Sequence, residues 1–471
     1  MKKTLLYTLT MLIFFGPARA QFMVQDVRIG DPAASYLDFE IWQAGNRLCF
    51  QDENNRGYVG LLDSQTGNLV SASGKDYLFD AALTPVTQSI NGPEWGYRVG
   101  GADVFYTKQI GTADKHIGQA TWNGTGYTAT DLSASLTGRR FATICSKNPT
   151  DPAARLVYAR GNNLLNFTIH WSVAANPVSD TPVPYGANSS SGPRFIEGEQ
   201  ALLTNDVVNG TTQIFRYDLA TAALTQLTFD PGNKIDAFAW NAPDYGNARL
   251  LYCTVNDTIL RLYRQVGSAF TVVYDVRLPD PSYGYYFSAE PFVFQNRSYL
   301  FVCAAAQKFI PGSQSNSLPA DVWVVALDPA RPFFRKVSDS RVALRLDPEV
   351  FITPTDAYIY YYEYNQNGNV HPVALHKCSA GLASFPLKAK AAAAPAVSVA
   401  VFPNPAQNAL TVTSDKVLHQ VSLYDAVGRN VLSVRPEQKG ATLDVGGLAN
   451  GLYFLKADAD RRTTQKVLIQ R

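Results

Sequence analysis

The stretch IFRYDLATAALTQLTFD, residues 214–230, decides how the chain is read. It opens on alternating apolar and polar residues, reaches Asp218, crosses a short Ala/Thr segment and resumes as a second strand-like run. Period-two alternation on both sides of a turn is the signature of a β-hairpin. The same plan recurs in YVGLLDSQTGNLVSASG (58–74), with a turn at 65–68, and in VWVVALDPARPFFRKVSD (322–339). Looser copies occupy 117–133, 167–183, 259–278 and 372–387. Their spacing, roughly 45 to 65 residues, suits a repeat of four short strands.

The half-unit before each hairpin repeats too. SAEPFVFQNRSYLFVCA (288–304) and RLDPEVFITPTDAYIYYYE (345–363) each carry an acid, a Pro, an x-Val-Phe step, a turn and a strand. AFAWNAPDYGNARLLYCTV (237–255) is a looser third copy. A unit of four short strands cannot bury both faces alone, whereas units stacked around an axis can, with only short edges left over. The expectation is an all-β chain in which residues 22–385 form a seven-bladed β-propeller; six or eight blades fit the same spacing. A strand within 23–28 is expected to close the ring against the last blade. Residues 214–230 resemble the TolB-type propeller repeat, where a strand ending in Asp precedes a Thr/Gly turn and a "qLT" strand, and the rest is loosely similar to WD-repeat propellers. That resemblance implies a fold and no activity.

Composition agrees. The 471 residues are 46% hydrophobic and 17% charged, with 25 Tyr, 25 Phe, 33 Gly and 27 Pro. This supports a large core of strands and turns rather than a disordered chain. A net charge of +2 offers no basic stripe for nucleic acid. Lys2 and Lys3, the apolar run 5–15 and Ala18-Arg19-Ala20 read as a secretory signal over residues 1–20, cut between Ala20 and Gln21. The run is too short to span a bilayer, and no transmembrane segment is expected elsewhere. The five cysteines, Cys49, Cys145, Cys253, Cys303 and Cys378, are odd in number and far apart, and read as buried thiols, with room for one bridge.

Residues 386–396 break the strand pattern with an Ala-rich, Pro-containing run that reads as a linker. Alternation returns over 397–471 in seven short segments, suited to a small Ig-like β-sandwich. This tail resembles the C-terminal sorting domain of the type IX secretion system of Bacteroidetes. The matching residues are Pro403-Asn404-Pro405, Leu423-Tyr424-Asp425 leading to Gly428-Arg429, Asn450-Gly451-Leu452-Tyr453-Phe454, and Lys466-Val467-Leu468-Ile469. The resemblance implies Sec export to the periplasm, then outer-membrane passage through a translocon, with a sortase as second partner. The cargo ends outside the cell or on its surface.

Function then rests on the propeller. None of His116, His170, His371, His376 and His419 makes a metal-ligand pair, and DENNRG (52–57) lacks calcium-loop spacing, so no metal or cofactor is expected. No nucleophile elbow or phosphate loop occurs. Glu290 and Asp347, each just before Pro, are the catalytic candidates, because two carboxyls across a cavity are what glycoside hydrolysis requires. The acid-Pro step resembles that of furanoside-cleaving propeller glycosidases, which are usually five-bladed. Tyr283, Tyr285 and Tyr286 are candidates for stacking on a sugar face, and the long connection 304–321 is a candidate binding loop. The leading expectation is a non-catalytic module binding a glycan or protein. The rivals are a polysaccharide-degrading glycosidase and a scaffold or adhesin without small ligand.

Overall fold

The computed structural model describes residues 25–85, 91–112, 114–136, 139–163, 166–184, 192–196, 198, 200–267, 269–308, 319–328, 333–364, 373–382, 399–425, 429–459 and 462–470. The signal segment with Ala20 and Gln21, the linker, His371, Gly428 and most of the 304–321 connection lie outside these residues. The chain divides into two compact units, one ending at Ser384 and one beginning at Phe385.

Among the described residues, the first unit holds seven four-stranded antiparallel sheets. Their first strands are Leu37–Trp42, Glu94–Arg98, Arg139–Cys145, Arg194–Phe195, Lys234–Ala242, Tyr285–Phe294 and Leu344–Ile352, and the sheets are numbered one to seven in this order. Apolar clusters join each sheet to the next. Val59 packs with Trp95 and Val104 between sheets one and two, and Leu250 and Leu262 pack with Leu300 and Val302 between five and six. Sheet seven returns onto sheet one, where Phe351 and Tyr360 meet Leu48 and Phe50. The arrangement is propeller-like.

The ring closes with the chain start. Asp26–Ile29 is the fourth strand of sheet seven, pairing Asp26 with Cys378 and Arg28 with His376. The strand expected within 23–28 therefore does close the ring. It takes the outer place in the sheet beside Ala374–Ser379, which is the one strand among the described residues of the hairpin expected at 372–387. Asp26 staples this seam: its carboxylate accepts from the Asp339 N–H at 2.8 Å, from His376 Nδ1 at 2.9 Å and from the Tyr361 hydroxyl.

The repeated hairpin has a simple local cause. Asp218 Oδ1 accepts from the N–H groups of Ala220 and Thr221 and from Thr221 Oγ1, and Asp63 Oδ1 does the same for Gln65 and Thr66. A side chain that takes over several backbone donors stops a strand and turns it. The residue directly after the Thr has positive φ, +65° at Gly67 and +56° at Ala222. The copies diverge after the turn. Beyond 65–68 only Leu62 and Leu69 bridge, and the fourth strand waits until Tyr77–Asp80. Asp76 accounts for the delay, because its Oδ2 takes the Leu61 N–H at 2.7 Å. All five cysteines are buried and free.

Among the described residues, the second unit has seven strands in two sheets, of three and four strands. Its core includes Leu410, Val421, Leu423, Leu455 and Val467, with Tyr453 donating from its hydroxyl to the Ala449 carbonyl at 2.9 Å. Asn404 explains the Pro-Asn-Pro motif. Its side chain donates to the Lys466 carbonyl and accepts from the Leu468 N–H, both at 2.9 Å. Ala406 continues this pairing, donating to the Leu468 carbonyl and accepting from Gln470. The segment thus covers the outer edge of Arg462–Ile469, while Pro403 and Pro405, which lack N–H groups, leave no donor of their own unpaired. Arg429 is exposed and holds Asp425 at 2.7 Å, and the Gly451 position pairs with Ile469.

Candidate functional site

Four of the first strands share a bulge. The ladder skips two residues between Leu37 and Glu40, Ile235 and Phe238, Phe287 and Glu290, and Leu346 and Glu349. The first skipped residue is left-handed in every case: Asp38 at φ +51°, Asp236 at +52°, Ser288 at +47° and Asp347 at +51°. Short polar side chains tolerate this conformation better than others, and a bulge re-aims the residue that follows. The residues that resume the ladder are Glu40, Phe238, Glu290 and Glu349.

These residues face the axis. A cavity of about 370 Å³ is lined from the first strands of all seven sheets, including Glu40, Glu94, Ile144, Arg194, Phe238, Glu290 and Glu349. A second cavity of about 430 Å³ shares Arg194, Phe238 and Glu290 with it and adds Asp236, Asp257, Tyr285, Tyr286, Lys308 and Asp347. Both fall in the range that takes small molecules, roughly 300 to 1,000 Å³. The Lys308–Asp257 ion pair, at 2.6 Å, sits on the wall of the second.

Charge on the axis is unbalanced toward acid. Lys147 reaches Glu40 at 2.9 Å and Glu94 at 3.1 Å. Arg194 lies 3.7 Å from Glu290 and over the Phe238 ring at 4.6 Å. Burial pushes the Glu40 carboxyl up to about 8, the Glu94 charge adds to this, and Lys147 opposes it. Burial is also the leading cause for Glu349 and Asp347, both held well above the ordinary carboxyl range, with neighbouring acids adding to it. Asp38 rises to about 6 through burial, moderated by a hydrogen bond with Asp347. Glu290 shifts upward through burial, with Arg194 opposing. Lys147 stays firmly charged: burial works against it, but Glu40 and Glu94 outweigh that. The axis therefore places carboxyls that hold their protons more tightly than usual beside the charged Lys147 and Arg194 groups.

The sequence candidates divide. Glu290 and Asp347 do line one cavity. They are not equivalent, however: the bulges align Glu290 with Glu349, and Asp347 with Ser288. Matching on Pro was misleading because Pro291 follows its bulge and Pro348 lies within one. Tyr285 and Tyr286 line the second cavity, although Tyr286 is mostly buried and accepts the Leu278 N–H. Tyr283 lines neither cavity; its hydroxyl is held by Asp321 and its ring packs edge-on against Trp323. His116, His376 and His419 pair with Asp131, Asp26 and Glu437. Asp52, in the candidate calcium turn, is engaged by Arg56 and Lys75. Glu40, Glu94, Lys147, Arg194 and Glu349 were not singled out. A readable signal existed for two of them: Asp38-Phe39-Glu40-Ile41-Trp42 and Asp347-Pro348-Glu349-Val350-Phe351 share an Asp-x-Glu-aliphatic-aromatic pattern.

No curated protein matches the chain. Solved structures that it resembles include a putative TolB from Agrobacterium tumefaciens, at 14% identity and TM-score 0.30, covering 52% of this chain and 80% of that one. Another is the WD40 domain of SCAP from fission yeast, at 10% identity and TM-score 0.42, covering 75% and 97%. A third is a protein of unknown function from Dyadobacter fermentans, at 8% identity and TM-score 0.36, covering 76% and 97%. Among the described residues, no helix is long and apolar enough to cross a membrane. Residues 400–470 match the secretion system C-terminal sorting domain, so this chain carries the tail of type IX secretion cargo, bound for the cell surface or the extracellular space.

Proposed function

We propose that the chain is an exported, non-catalytic glycan-binding protein of a Bacteroidetes bacterium, whose ligand enters the axial cavities of a seven-bladed propeller. In this reading residues 1–20 are removed as a signal peptide, 22–385 are the propeller, 386–396 a linker, and 397–471 an Ig-like sorting domain that engages the translocon and sortase. The observation that carries it is the axial cavity itself, walled by all seven sheets and lined by carboxyls and aromatic rings. Mixed donors and acceptors beside rings suit a hydroxyl-bearing sugar.

A second reading is a glycosidase using Glu290 and Asp347, favoured by their presence on one cavity wall and by their raised carboxyls. One experiment separates the two. The full chain is incubated with a panel of bacterial, plant and algal polysaccharides, and retention and new reducing ends are followed together. Retention without cleavage, weakened by Tyr285→Ala, supports the binding module. Cleavage lost in Glu290→Gln and Asp347→Asn supports the enzyme, and silence in both channels sinks both. Export has its own test: a chain lacking 397–471 should stay in the periplasm, and its normal release would overturn the role of the tail.

A further inference from the structure

Glu40, Glu94, Glu290 and Glu349 line the same cavity, and three of them have a cation. Lys147 serves Glu40 and Glu94, and Arg194 faces Glu290. Glu349 differs. Among the described residues no hydrogen bond or ion pair reaches its carboxyl, yet only 9% of its surface is exposed, and it borders the cavity. A buried carboxyl without a partner is costly to keep, and it is retained cheaply only where a bound group completes it.

We propose that the axial cavity takes a glycan bearing a free primary amine, whose ammonium sits beside Glu349 as Lys147 and Arg194 sit beside the other three glutamates. This rests on the reading of the axis as the ligand site. An organic cation fits better than a bare metal ion. Among the described residues no group of three or more His, Cys, Asp or Glu has metal-holding geometry, and Phe238, Trp240 and Val350 give the same cavity apolar walls. Such walls suit the carbon face of a sugar ring. The adjoining cavity adds Tyr285 and Asp347 for further units of the same chain. Burial holds the Glu349 carboxyl well above its ordinary range, with Glu40, Glu290 and Asp347 adding to this and the more distant Lys147 opposing it, so the carboxyl grips its proton more tightly than a free one. When the ammonium arrives the carboxyl ionises, and its proton passes to the buffer.

The test compares a glucosamine tetramer with its fully N-acetylated form, by calorimetry on the full chain at pH 6. An amine resembling an α-amino group, with a pKa of about 7.7–8.0, is charged there. The amine form should bind at least about tenfold more tightly. Its heat should differ between buffers of different ionisation enthalpy, reporting the released proton. Glu349→Gln, which keeps the shape, should abolish both the preference and the buffer dependence while leaving tryptophan fluorescence unchanged. Equal binding of both sugars, or a preference that survives Glu349→Gln, overturns the inference while the axial glycan reading stands. If neither sugar binds but a lysine-rich peptide does, through Glu349, both the inference and the glycan reading fall.

Discussion

Replacing Glu40 by Gln should stabilise the propeller-like unit in alkaline solution and do little in acid. Glu40 is buried beside Glu94, and its carboxyl is pushed from an ordinary 4.5 to about 8. A carboxyl raised in the folded state binds its proton more tightly there than in the unfolded chain. Stability is then complete below the ordinary value and falls as pH rises toward the folded one. At about 1.36 kcal/mol per pH unit, the interval from 4.5 to about 8 sets a ceiling of roughly 5 kcal/mol. Lys147, 2.9 Å away, is already at work in that interval, opposing burial and Glu94. Solvent lowers the ceiling further, because Glu40 keeps 15% of its side-chain surface open to the cavity. An effect of about 2–3 kcal/mol is expected, within the range for disturbed buried charges.

The assay is urea unfolding followed by tryptophan fluorescence at pH 5 and pH 8.5. All six tryptophans lie between Trp42 and Trp323, so the sorting tail is silent in this signal. Glu40→Gln should shift the midpoint upward at pH 8.5 and leave it nearly unchanged at pH 5. Lys147→Met should act in the opposite direction, because it leaves Glu40 and Glu94 without their common cation. Parallel pH profiles for Glu40→Gln and the parent would refute the reasoning. So would a variant weaker only at pH 8.5, since Glu40 would then be an ordinary ionised partner of Lys147.

Three further outcomes follow from the seam, the turn and the tail. Asp26→Ala removes the acceptor shared by Asp339, Tyr361 and His376, and should cost about 3 kcal/mol in the same tryptophan transition; an unmoved midpoint would mean the closing strand holds without its staple. Although burial opposes it, hydrogen bonds hold the Asp26 carboxyl below its ordinary 3.8, so its contribution is present above that pH and is lost on further acidification. Ala222→Gly relieves a positive φ of +56° and should stabilise by about 1 kcal/mol, measured as a rise in urea midpoint. Asn404→Ala should loosen the edge that it covers by about 1–2 kcal/mol, read as faster proteolysis of the tail with the tryptophan transition unmoved; equal cleavage rates would deny the motif this role.

The sheet architecture was legible because its causes are local. Asp218 and Thr221 build a turn from side chains three positions apart, and Asp63 and Thr66 repeat it, so reading one hairpin finds the others. The fine register was less legible. Nothing near 58–74 announces that Asp76 will take the Leu61 N–H and postpone the next strand. The sorting tail was legible for a related reason: Asn404 sits between two residues that cannot compete for the edge it covers, and that constraint is written as Pro-Asn-Pro.

The axial site was only half legible, and the reason is geometric. Glu290 and Asp347 were found through the prolines beside them, but a bulge shifts side-chain direction by one residue, and Pro marks different places in the two bulges. What repeats is the left-handed Asp or Ser followed two residues later by the side chain that faces the axis. Asp38-x-Glu40 and Asp347-x-Glu349 carry that rule in full, Ser288-x-Glu290 nearly so, and Asp236-x-Phe238 exchanges the acid for a ring over which Arg194 lies. Lys147 and Arg194 lie outside these four bulged strands, on sheets whose own first strands follow other patterns. Their positions become meaningful only once seven sheets share an axis. Then one lysine serves two glutamates, one arginine faces a third, and among the described residues the fourth, Glu349, has no ion pair.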